Sequence, residues 1–354
     1  MRLATPSWLQ AGDETWLRSA ALAPLLLLEG AYRAGARLHR AAYERGWREP
    51  ERVPCRVISV GNLCAGGTGK TPFAAWLAAA LAARGHRPAL LSRGSGRARR
   101  DPVTWVSDGR RILADVAAAG DEPLLLAAAA PGVPVLVGRA RARLARQALA
   151  QLGCDVALLD DGFQHHRLAR DLDLVLIDAA QGLGNGHLLP RGPLREPVAA
   201  LARADAIGLV DGEPGALLAQ LLERRAPQAF RFQLARRTAG LRRLADAAPL
   251  AAAELAGEEV GLLAAIARPD SLRRRVEALG ARVVATRFFS DHHRYRASDL
   301  RGLARGARRW ITTDKDAVKL SPRWARPAEL VALSLAIEVE APAALLDFLE
   351  ARLR

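Results

Sequence analysis

Residues 57–71 read VISVGNLCAGGTGKT, an apolar strand pattern followed by a glycine-rich loop. This arrangement is typical of a phosphate-binding loop (P-loop), in which backbone N–H groups wrap the phosphates of a nucleoside triphosphate. Lys70 would reach the outer phosphates and the Thr71 hydroxyl would bind Mg²⁺, while residues 72–84 would form a helix that begins at the phosphates. The predicted nucleotide-binding residues are Cys64, Ala65, Gly66, Gly67, Thr68, Gly69, Lys70 and Thr71.

The loop departs from the common pattern G-x-x-x-x-G-K-[ST] at its first position, which is Cys64. The alternative is a plain turn between a strand and a helix, which gives no reason for Lys and Thr after the last glycine. Composition favours the phosphate-binding reading, because Lys70, Lys315 and Lys319 are the only lysines among 52 basic residues. A lysine kept in so arginine-rich a chain indicates a place where a planar guanidinium does not fit.

Two carboxylates follow an apolar run in VALLDD, residues 156–161. In a P-loop protein, an acidic residue at the end of a neighbouring strand holds Mg²⁺ directly or through water, so Asp160 and Asp161 are predicted at the metal together with Thr71. The next residues, GFQHH, could suggest a transition-metal site, but adjacent histidines usually point in different directions. We instead expect Gln164 and His165 to contact the substrate or to support the site.

GDEP (120–123) and DHH (291–293) are two further patterns with titratable residues. Asp121 lies in GDEP, where the sequence alone favours capping of a helix N-terminus. His292 lies in DHH, where a carboxylate beside an imidazole can tune a proton acceptor. Neither pattern is specific by itself.

The elements that must position these residues alternate between short buried strands and Ala/Leu/Arg-rich helices from about residue 56 to 225. Such alternation predicts an α/β fold with a parallel sheet and right-handed crossovers. The predicted strands are Val57–Val60, Ala89–Ser92, Val133–Val137, Val156–Leu159, Leu174–Ile177 and Ala206–Val210. A smaller α/β domain is expected after this region, with strands near Phe230–Leu234, Val260–Ala267, Ala281–Arg287, Trp310–Thr313 and Glu329–Val339. The predicted divisions are an N-terminal helical segment (1–45), a P-loop core (46–225) and the smaller domain (226–354).

The N-terminal segment and the charge point to a membrane surface. The apolar stretch 16–28 is too short to span a bilayer, and Arg33, Arg37 and Arg40 follow it at helical spacing. A helix that simply docks on the core is the alternative. The net charge of +15 implies an acidic partner, and without interleaved aromatics an anionic lipid surface is favoured over nucleic acid. Three separated cysteines predict neither a disulfide framework nor a metal site.

Eight motifs together resemble one family, the tetraacyldisaccharide 4'-kinases of Gram-negative bacteria. In chain order they are SVGNLCAGGTGKTP (59–72), SRG (92–94), GDEP (120–123), LLDDGFQHH (158–166), NGHLLPRGPLREP (185–197), AIARP (265–269), DHHRY (291–295) and TTDKDAVK (312–319). The family's loop also lacks glycine at the position of Cys64. Where the family commonly shows an aromatic residue after SRG, this chain has Ser95.

The resemblance implies a kinase that uses ATP and Mg²⁺ to phosphorylate the 4'-hydroxyl of a tetraacylated disaccharide 1-phosphate in lipid A biosynthesis. It implies that Asp121 is the catalytic carboxylate and that His292 acts with it, together with Lys70 of the loop. Asp160 and Asp161 match the acidic pair at the metal, while Arg195 and Glu196 lie in a segment associated with the active site.

The implied location is the cytoplasmic face of the inner membrane, with an acylated disaccharide lipid and the anionic membrane surface as partners and no nucleic acid or obligate protein partner. Two other classes remain open from the residues. One is a P-loop GTPase or ATPase switch such as a metallochaperone, although the adjacent Lys315 and Asp316 do not fit the [NT]-K-x-D spacing of guanine recognition. The other is a basic ATPase that acts on nucleic acid.

Overall fold

The computed structural model describes residues 24–353 and has a mixed α/β architecture, which confirms the predicted fold class. Its strands are β1 (Arg56–Asn62), β2 (Pro88–Ser92), β3 (Thr104–Asp108), β4 (Pro134–Val137), β5 (Val156–Asp160), β6 (Leu172–Asp178), β7 (Ala206–Val210), β8 (Phe230–Arg243), β9 (Pro249–Leu250), β10 (Glu259–Ala264), β11 (Arg282–Phe288), β12 (Arg309–Thr313) and β13 (Glu329–Val339). Its helices are α1 (Leu25–Glu44), α2 (Lys70–Ala83), α3 (Val116–Ala119), α4 (Asp121–Ala129), α5 (Arg141–Leu152), α6 (Ala216–Arg225), α7 (Pro269–Ala278), α8 (Leu303–Gly306), α9 (Asp314–Ala317) and α10 (Pro342–Leu353).

The strands of the described residues form one sheet, in the order β11-β10-β12-β13-β8-β7-β6-β1-β5-β2-β4-β3, with β9 paired to β8. Strands β1, β5 and β6 lie near the middle and pair in parallel. Their residues are almost all buried, because helices cover both faces of a parallel sheet. The six strands predicted before residue 225 are all present. The antiparallel edge strand β3 was missed because its short sequence, TWVSD, carries no long apolar run.

The register of the central strands positions the predicted site. In the pairing of β1 with β5, Val60 lies opposite Asp160, so the P-loop that follows β1 and the two aspartates that end β5 share one edge of the sheet. Helix α2 then packs over the sheet through Phe73, Leu77 and Leu81, all fully buried. The sheet order therefore brings residues 60–71 and 160–161 together, as a P-loop protein requires.

Strand β8 links the two predicted α/β regions. Its first residues pair in parallel with β7, and the stretch from Leu234 onward pairs antiparallel with β13. The sequence predicted only Phe230–Leu234, because the arginine-rich continuation RRTAGLRR does not resemble a buried strand. The strands on both sides of residue 226 thus belong to one sheet, and the division into 46–225 and 226–354 stays a prediction.

Helix α1 packs against the core through a buried glutamate. Glu29 is 2% exposed, pairs with Arg33 at 2.7 Å, accepts from the Leu188 backbone N–H at 3.2 Å and lies 3.0 Å from His187 Nδ1. Tyr32 donates to the Arg195 carbonyl at 2.9 Å. The helix therefore docks on the segment 187–195, as the alternative reading of residues 1–45 expects.

The C-terminal part of α1 also touches the core, through ring contacts of His39 and Tyr43 with His166, whereas its first turn faces outward. Leu26, Leu27 and Leu28 are 46%, 83% and 57% exposed, whereas the predicted basic face is partly neutralised because Arg33 and Arg40 pair with Glu29 and Glu44. Residues 16–23 of the predicted apolar stretch lie outside the described residues. Among residues 24–353, none of the helices has the length and apolar character needed to cross a bilayer.

Replacing Glu29 with Ala should destabilise the protein by about 2–3 kcal/mol, since the Leu188 amide would lose its acceptor and Arg33 its partner. Urea unfolding measures this loss, with exposed Arg37→Ala on the same helix as the control. Burial acts to raise the pKa of Glu29, but Arg33 and the other partners outweigh it and lower that pKa. The contribution is therefore present at neutral pH and lost as pH falls through the lowered pKa. Equal unfolding free energies for the two variants would contradict this docking role.

Candidate active site

The glycine-rich loop connects the buried end of β1 to the first turn of α2. Gly69 precedes the helix with φ of 82°, a left-handed conformation that favours glycine. The loop is tied to the strand, because Asn62 Nδ2 donates to Thr68 Oγ1 at 3.1 Å. Apart from its chain neighbours, no residue has an atom within 4 Å of where a Cβ on Gly67 would stand, so this side of the loop is open. The backbone here forms the turn predicted for a phosphate cradle.

Lys70 and Arg195 meet at one carboxylate, Asp161. Lys70 Nζ lies 3.3 Å from Asp161 Oδ1, and Arg195 contacts both carboxylate oxygens at 2.7 and 2.8 Å. Burial acts to raise the pKa of Asp161, but the two cations outweigh it and hold that pKa well below its usual range. Asp161 is therefore ionised and paired with both cations, and it joins the P-loop lysine to the segment that contacts helix α1.

The environment of Asp160 is different. Its side chain is 2% exposed, Thr71 Oγ1 donates to Oδ2 at 3.4 Å, and Oδ1 is buried with no hydrogen-bond partner. Burial, followed by the charges of Glu122 and Asp161, raises the pKa of Asp160 to about 7. A bare buried carboxylate oxygen beside the P-loop hydroxyl is the donor set that Mg²⁺ takes when phosphates supply its other ligands. These residues fit Mg²⁺, although no group of three His, Cys, Asp or Glu suited to a metal occurs within residues 24–353.

Asp121 and His292, which are 171 residues apart in sequence, are in contact. His292 Nδ1 lies 3.1 Å from each carboxylate oxygen of Asp121, which is 4% exposed at the first position of α4. Gly120 rather than Asp121 is the N-cap, and a Cβ on Gly120 would stand 2.7 Å from the Ser95 carbonyl. The helix-capping reading of Asp121 is therefore wrong for this chain. His292 itself has φ of 61°, a strained conformation for a residue other than glycine.

The groups around the Asp121–His292 pair shift the pKa values of both residues. Burial acts to raise the pKa of Asp121, but the hydrogen bond from His292 and the charge of Lys315 outweigh it and lower the pKa to about 2. The same hydrogen bond raises the pKa of His292, against burial and Lys315. Helix α4, which begins at Asp121, packs against helix α2, which begins at Lys70. The Asp121–His292 pair and the P-loop thus border one site.

The structure gives different positions to the other predicted site residues. Gln164 donates to the Asn62 carbonyl at 3.1 Å and so supports the end of β1. Burial lowers the pKa of His165 to about 3, so its ring is neutral. Glu196 is buried in an ion pair with Arg203, at 2.9 Å. Only Arg195 of this group contacts the acidic pair directly.

Two site residues lacked an assigned role in the sequence predictions. Lys315 Nζ lies 3.0 Å from Asp291 and 3.4 Å from His292 Nε2, and Lys319 Nζ lies 3.5 Å from Asp121. The signal that could have found them is composition, because they are the two lysines of the chain outside the P-loop.

A parallel sheet with a P-loop at its centre, a carboxylate beside the loop hydroxyl and a separate Asp–His pair defines a P-loop phosphotransferase site. Comparison with known proteins gives the particular family. A family model for "Tetraacyldisaccharide-1-P 4'-kinase" matches residues 20–354. The chain belongs to this family, and it is therefore a kinase, a phosphate-transferring enzyme.

Individual relatives agree with the family match. The tetraacyldisaccharide 4'-kinase of Anaeromyxobacter dehalogenans (strain 2CP-C) is 47% identical over 325 residues, which cover 88% of this chain and 85% of that protein. The tetraacyldisaccharide 4'-kinase of Geobacter sulfurreducens is 40% identical over 344 residues, 95% of each chain. The crystal structure of LpxK from Aquifex aeolicus in complex with ATP superposes with a TM-score of 0.75 at 28% identity, covering 94% of this chain and all of that one. The predicted resemblance of the chain to the tetraacyldisaccharide 4'-kinases is confirmed, and the alternative of a P-loop GTPase or ATPase switch is not favoured.

Proposed function

We propose that this protein transfers the γ-phosphate of ATP to the 4'-hydroxyl of a tetraacylated glucosamine disaccharide 1-phosphate in lipid A biosynthesis. The observation that carries the proposal is the contact between buried Asp121 and His292 at the border of the P-loop site, 3.1 Å between Nδ1 and each carboxylate oxygen. A nucleotide switch activates water and has no need for a separate pair that orients an alcohol. Membership in a family of disaccharide kinases supplies the class of acceptor.

The loop and Lys70 bind the phosphates of ATP. Lys70 is held near Asp161 at 3.3 Å, and Arg195 satisfies the same carboxylate independently. Lys70 can therefore move its ammonium to a phosphate without leaving Asp161 unpaired. Because phosphoryl transfer depends on positioning and charge neutralisation, this cation stabilises the transferring group directly.

Thr71 and Asp160 would hold Mg²⁺, which on binding neutralises charge shared between the phosphates. Asp160 is favoured over Asp161 because its Oδ1 is buried without a partner, whereas both oxygens of Asp161 contact Arg195. Asp161 instead holds Lys70 and Arg195 in place. This assigns different tasks to two adjacent carboxylates.

Asp121 orients the acceptor hydroxyl and receives its proton. With a pKa of about 2 it is a weak base, but in a loose transition state the bond from the γ-phosphorus to the departing ADP oxygen is largely broken before the new oxygen–phosphorus bond forms, and the proton leaves late. Orientation then matters more than basicity. His292 fixes the carboxylate by donating from Nδ1, so the pair acts as one unit.

The lipid is presented at a membrane surface. Exposed Leu26, Leu27 and Leu28 at the start of α1 offer apolar contact, and the net charge of +15 attracts both an anionic leaflet and the 1-phosphate of the substrate. The proposed location is the cytoplasmic face of the inner membrane, where ATP is available. Neither nucleic acid nor an obligate protein partner is required.

Nucleotide consumption with and without acceptor tests the kinase against the switch. In detergent, ATP turnover should depend on the 1-phosphorylated lipid disaccharide, and GTP should compete poorly. Fast hydrolysis without lipid together with a preference for GTP would contradict the proposal. Stimulation by DNA or RNA would instead favour the nucleic-acid ATPase.

An Asp160→Asn enzyme should need about tenfold or more Mg²⁺ for half-maximal activity, because one anionic ligand is lost. The measurement is a Mg²⁺ titration of ATP turnover at saturating lipid. Exposed Asp270→Asn is the matched control and should keep the Mg²⁺ dependence of the parent. If Asp160→Asn also kept that dependence, Asp160 would not be the metal ligand.

A further inference from the structure

The lysines of this chain all lie at the active site. The sequence has 52 lysines and arginines together, and Lys70, Lys315 and Lys319 are its only lysines. Lys70 belongs to the P-loop, but the other two lie more than 240 positions later, in the segment 312–319. Surface positions throughout the chain carry arginine. The persistence of lysine at these places indicates that a compact ammonium is required there.

Lys315 contacts the side of His292 that faces away from Asp121. Its Nζ lies 3.4 Å from His292 Nε2, 3.0 Å from Asp291 and 3.5 Å from Glu122. An ammonium is a donor with no acceptor capacity, so Nε2 must be the unprotonated nitrogen when the two are in contact. The remaining proton of a neutral imidazole is then on Nδ1, which faces Asp121.

Lys319 supports the same pair from the carboxylate side. Its side chain is 5% exposed, and its Nζ lies 2.8 Å from Asp316 and 3.5 Å from Asp121 Oδ2. Asp316 is fully buried and fixed, because it accepts from the Ala265 backbone N–H at 2.9 Å and from Thr313 Oγ1 at 3.0 Å. The buried ammonium therefore lies within ion-pair distance of both carboxylates, although neither contact has hydrogen-bond geometry.

We propose that Lys315 and Lys319 are positioning residues of the Asp121–His292 pair: Lys315 fixes the tautomer of His292 with the proton on Nδ1, and Lys319 holds the Asp121 carboxylate. Each ammonium lies within 3.5 Å of two carboxylates, Lys315 between Glu122 and Asp291 and Lys319 between Asp121 and Asp316, which suits a compact point charge better than the planar fork of arginine. The role of the two lysines in the reaction rests on the proposed function of Asp121. The tautomer of His292 and the contacts of the two ammonium groups are independent of that function.

The charged groups that face His292 are Asp121, Glu122, Asp291 and Lys315. Of these, Lys315 is the cation, and its charge lowers the pKa of His292. Removing it should therefore raise that pKa and allow both ring nitrogens to be protonated near neutral pH. Because Lys315 is partly exposed, at 19%, its replacement is also less disruptive to folding than that of Lys319.

The test is a nitrogen NMR titration of full-length protein labelled with ¹⁵N-histidine, with the His292 signals assigned by their loss in His292→Gln. In the parent, His292 should show protonated Nδ1 and bare Nε2 once the pH lies above the pKa of His292. In Lys315→Met the pKa of His292 should rise by roughly one unit. Lys315→Arg, which keeps the charge, should return the pKa of His292 most of the way to its value in the parent. Exposed Arg305→Met is the control and should leave the pKa of His292 unchanged.

Kinetics provide the second measurement. In Lys315→Met, kcat should fall about tenfold and its acid limb should shift to higher pH, while the KM for ATP stays within about twofold. The double variant Lys319→Met/Asp316→Asn removes the buried ion pair as a unit and should likewise lower kcat without changing that KM. Lys315→Arg should recover the pH profile but only part of the rate.

An unchanged His292 titration in Lys315→Met would overturn the inference, as would a neutral His292 in the parent that carries its proton on Nε2. Full activity of Asp121→Asn combined with an altered His292 titration in Lys315→Met would have a different meaning. It would contradict the proposed function of Asp121 and would support the contact of Lys315 with the imidazole. The two failures are therefore separable.

Discussion

Lys70→Ala should lose kinase activity by about 10²–10³-fold in kcat/KM, which is the range seen when one cation or donor is removed from a charge-stabilising site. Lys70 is the first residue of α2 at the end of the P-loop, with its ammonium 3.3 Å from Asp161. No other lysine is near enough to the loop to replace it, since Lys315 and Lys319 contact the Asp121–His292 pair. Steady-state phosphorylation of the lipid measures the loss.

The fold should survive this change, because Asp161 keeps two contacts with Arg195 at 2.7 and 2.8 Å. The melting temperature of Lys70→Ala should therefore stay close to that of the parent. Lys70→Arg is the matched charge-preserving variant, and it should recover only part of the activity because a planar guanidinium does not fit the loop. Full activity of folded Lys70→Ala would refute the assignment of residues 64–71 as the phosphate-binding loop.

Asp121→Asn should lower kcat by roughly 10²–10⁴-fold, the range for loss of a general acid or base, with little change in the KM for ATP. The amide keeps the size of the side chain and can still bond to His292, so the loss isolates the charge of the carboxylate. In the proposed site ATP binds the P-loop rather than α4, which is why nucleotide affinity should be preserved. The measurement is the initial rate of lipid phosphorylation over a range of ATP concentrations.

The pH dependence of kcat in the parent shows which of the two residues, Asp121 or His292, titrates in the working range. The pKa of Asp121 is about 2, so this carboxylate is ionised throughout the working range and does not set the acid limb. His292 has a raised pKa, and its protonation as pH falls should reduce kcat.

Glu122→Gln, next in the chain, should retain far more activity than Asp121→Asn. Comparable losses at both positions would argue against a specific role for Asp121.

The sequence predicted the P-loop and the central strands well, because both depend on local patterns. Glycines followed by Lys70 and Thr71 specify a cradle, and short apolar runs between helices specify a parallel sheet. The sequence also predicts that the C-terminal ends of β5 and β1 lie close together, since the C-terminal ends of parallel strands meet at the same edge of a sheet. This is why Asp160 was expected beside Thr71.

The Asp121–His292 contact could not be derived from local pattern, since the residues are 171 positions apart and each fits an ordinary loop or helix start. Only the resemblance to a family joined them. The roles of Lys315 and Lys319 were missed for the same reason, although their rarity was visible in the composition. The two aspartates after β5 also looked equivalent in sequence, and they differ because Arg195 arrives from a distant segment to occupy Asp161.

Labelling of the acceptor tests the central claim most directly. Purified protein, γ-labelled ATP, Mg²⁺ and the tetraacylated disaccharide 1-phosphate are combined in detergent, and the position of the new phosphate is read by mass spectrometry and phosphorus NMR. The account predicts one labelled phosphate per disaccharide, at the 4'-oxygen, and almost none with Asp121→Asn. Label appearing only as free phosphate, or equal lipid labelling by parent and Asp121→Asn, would contradict it.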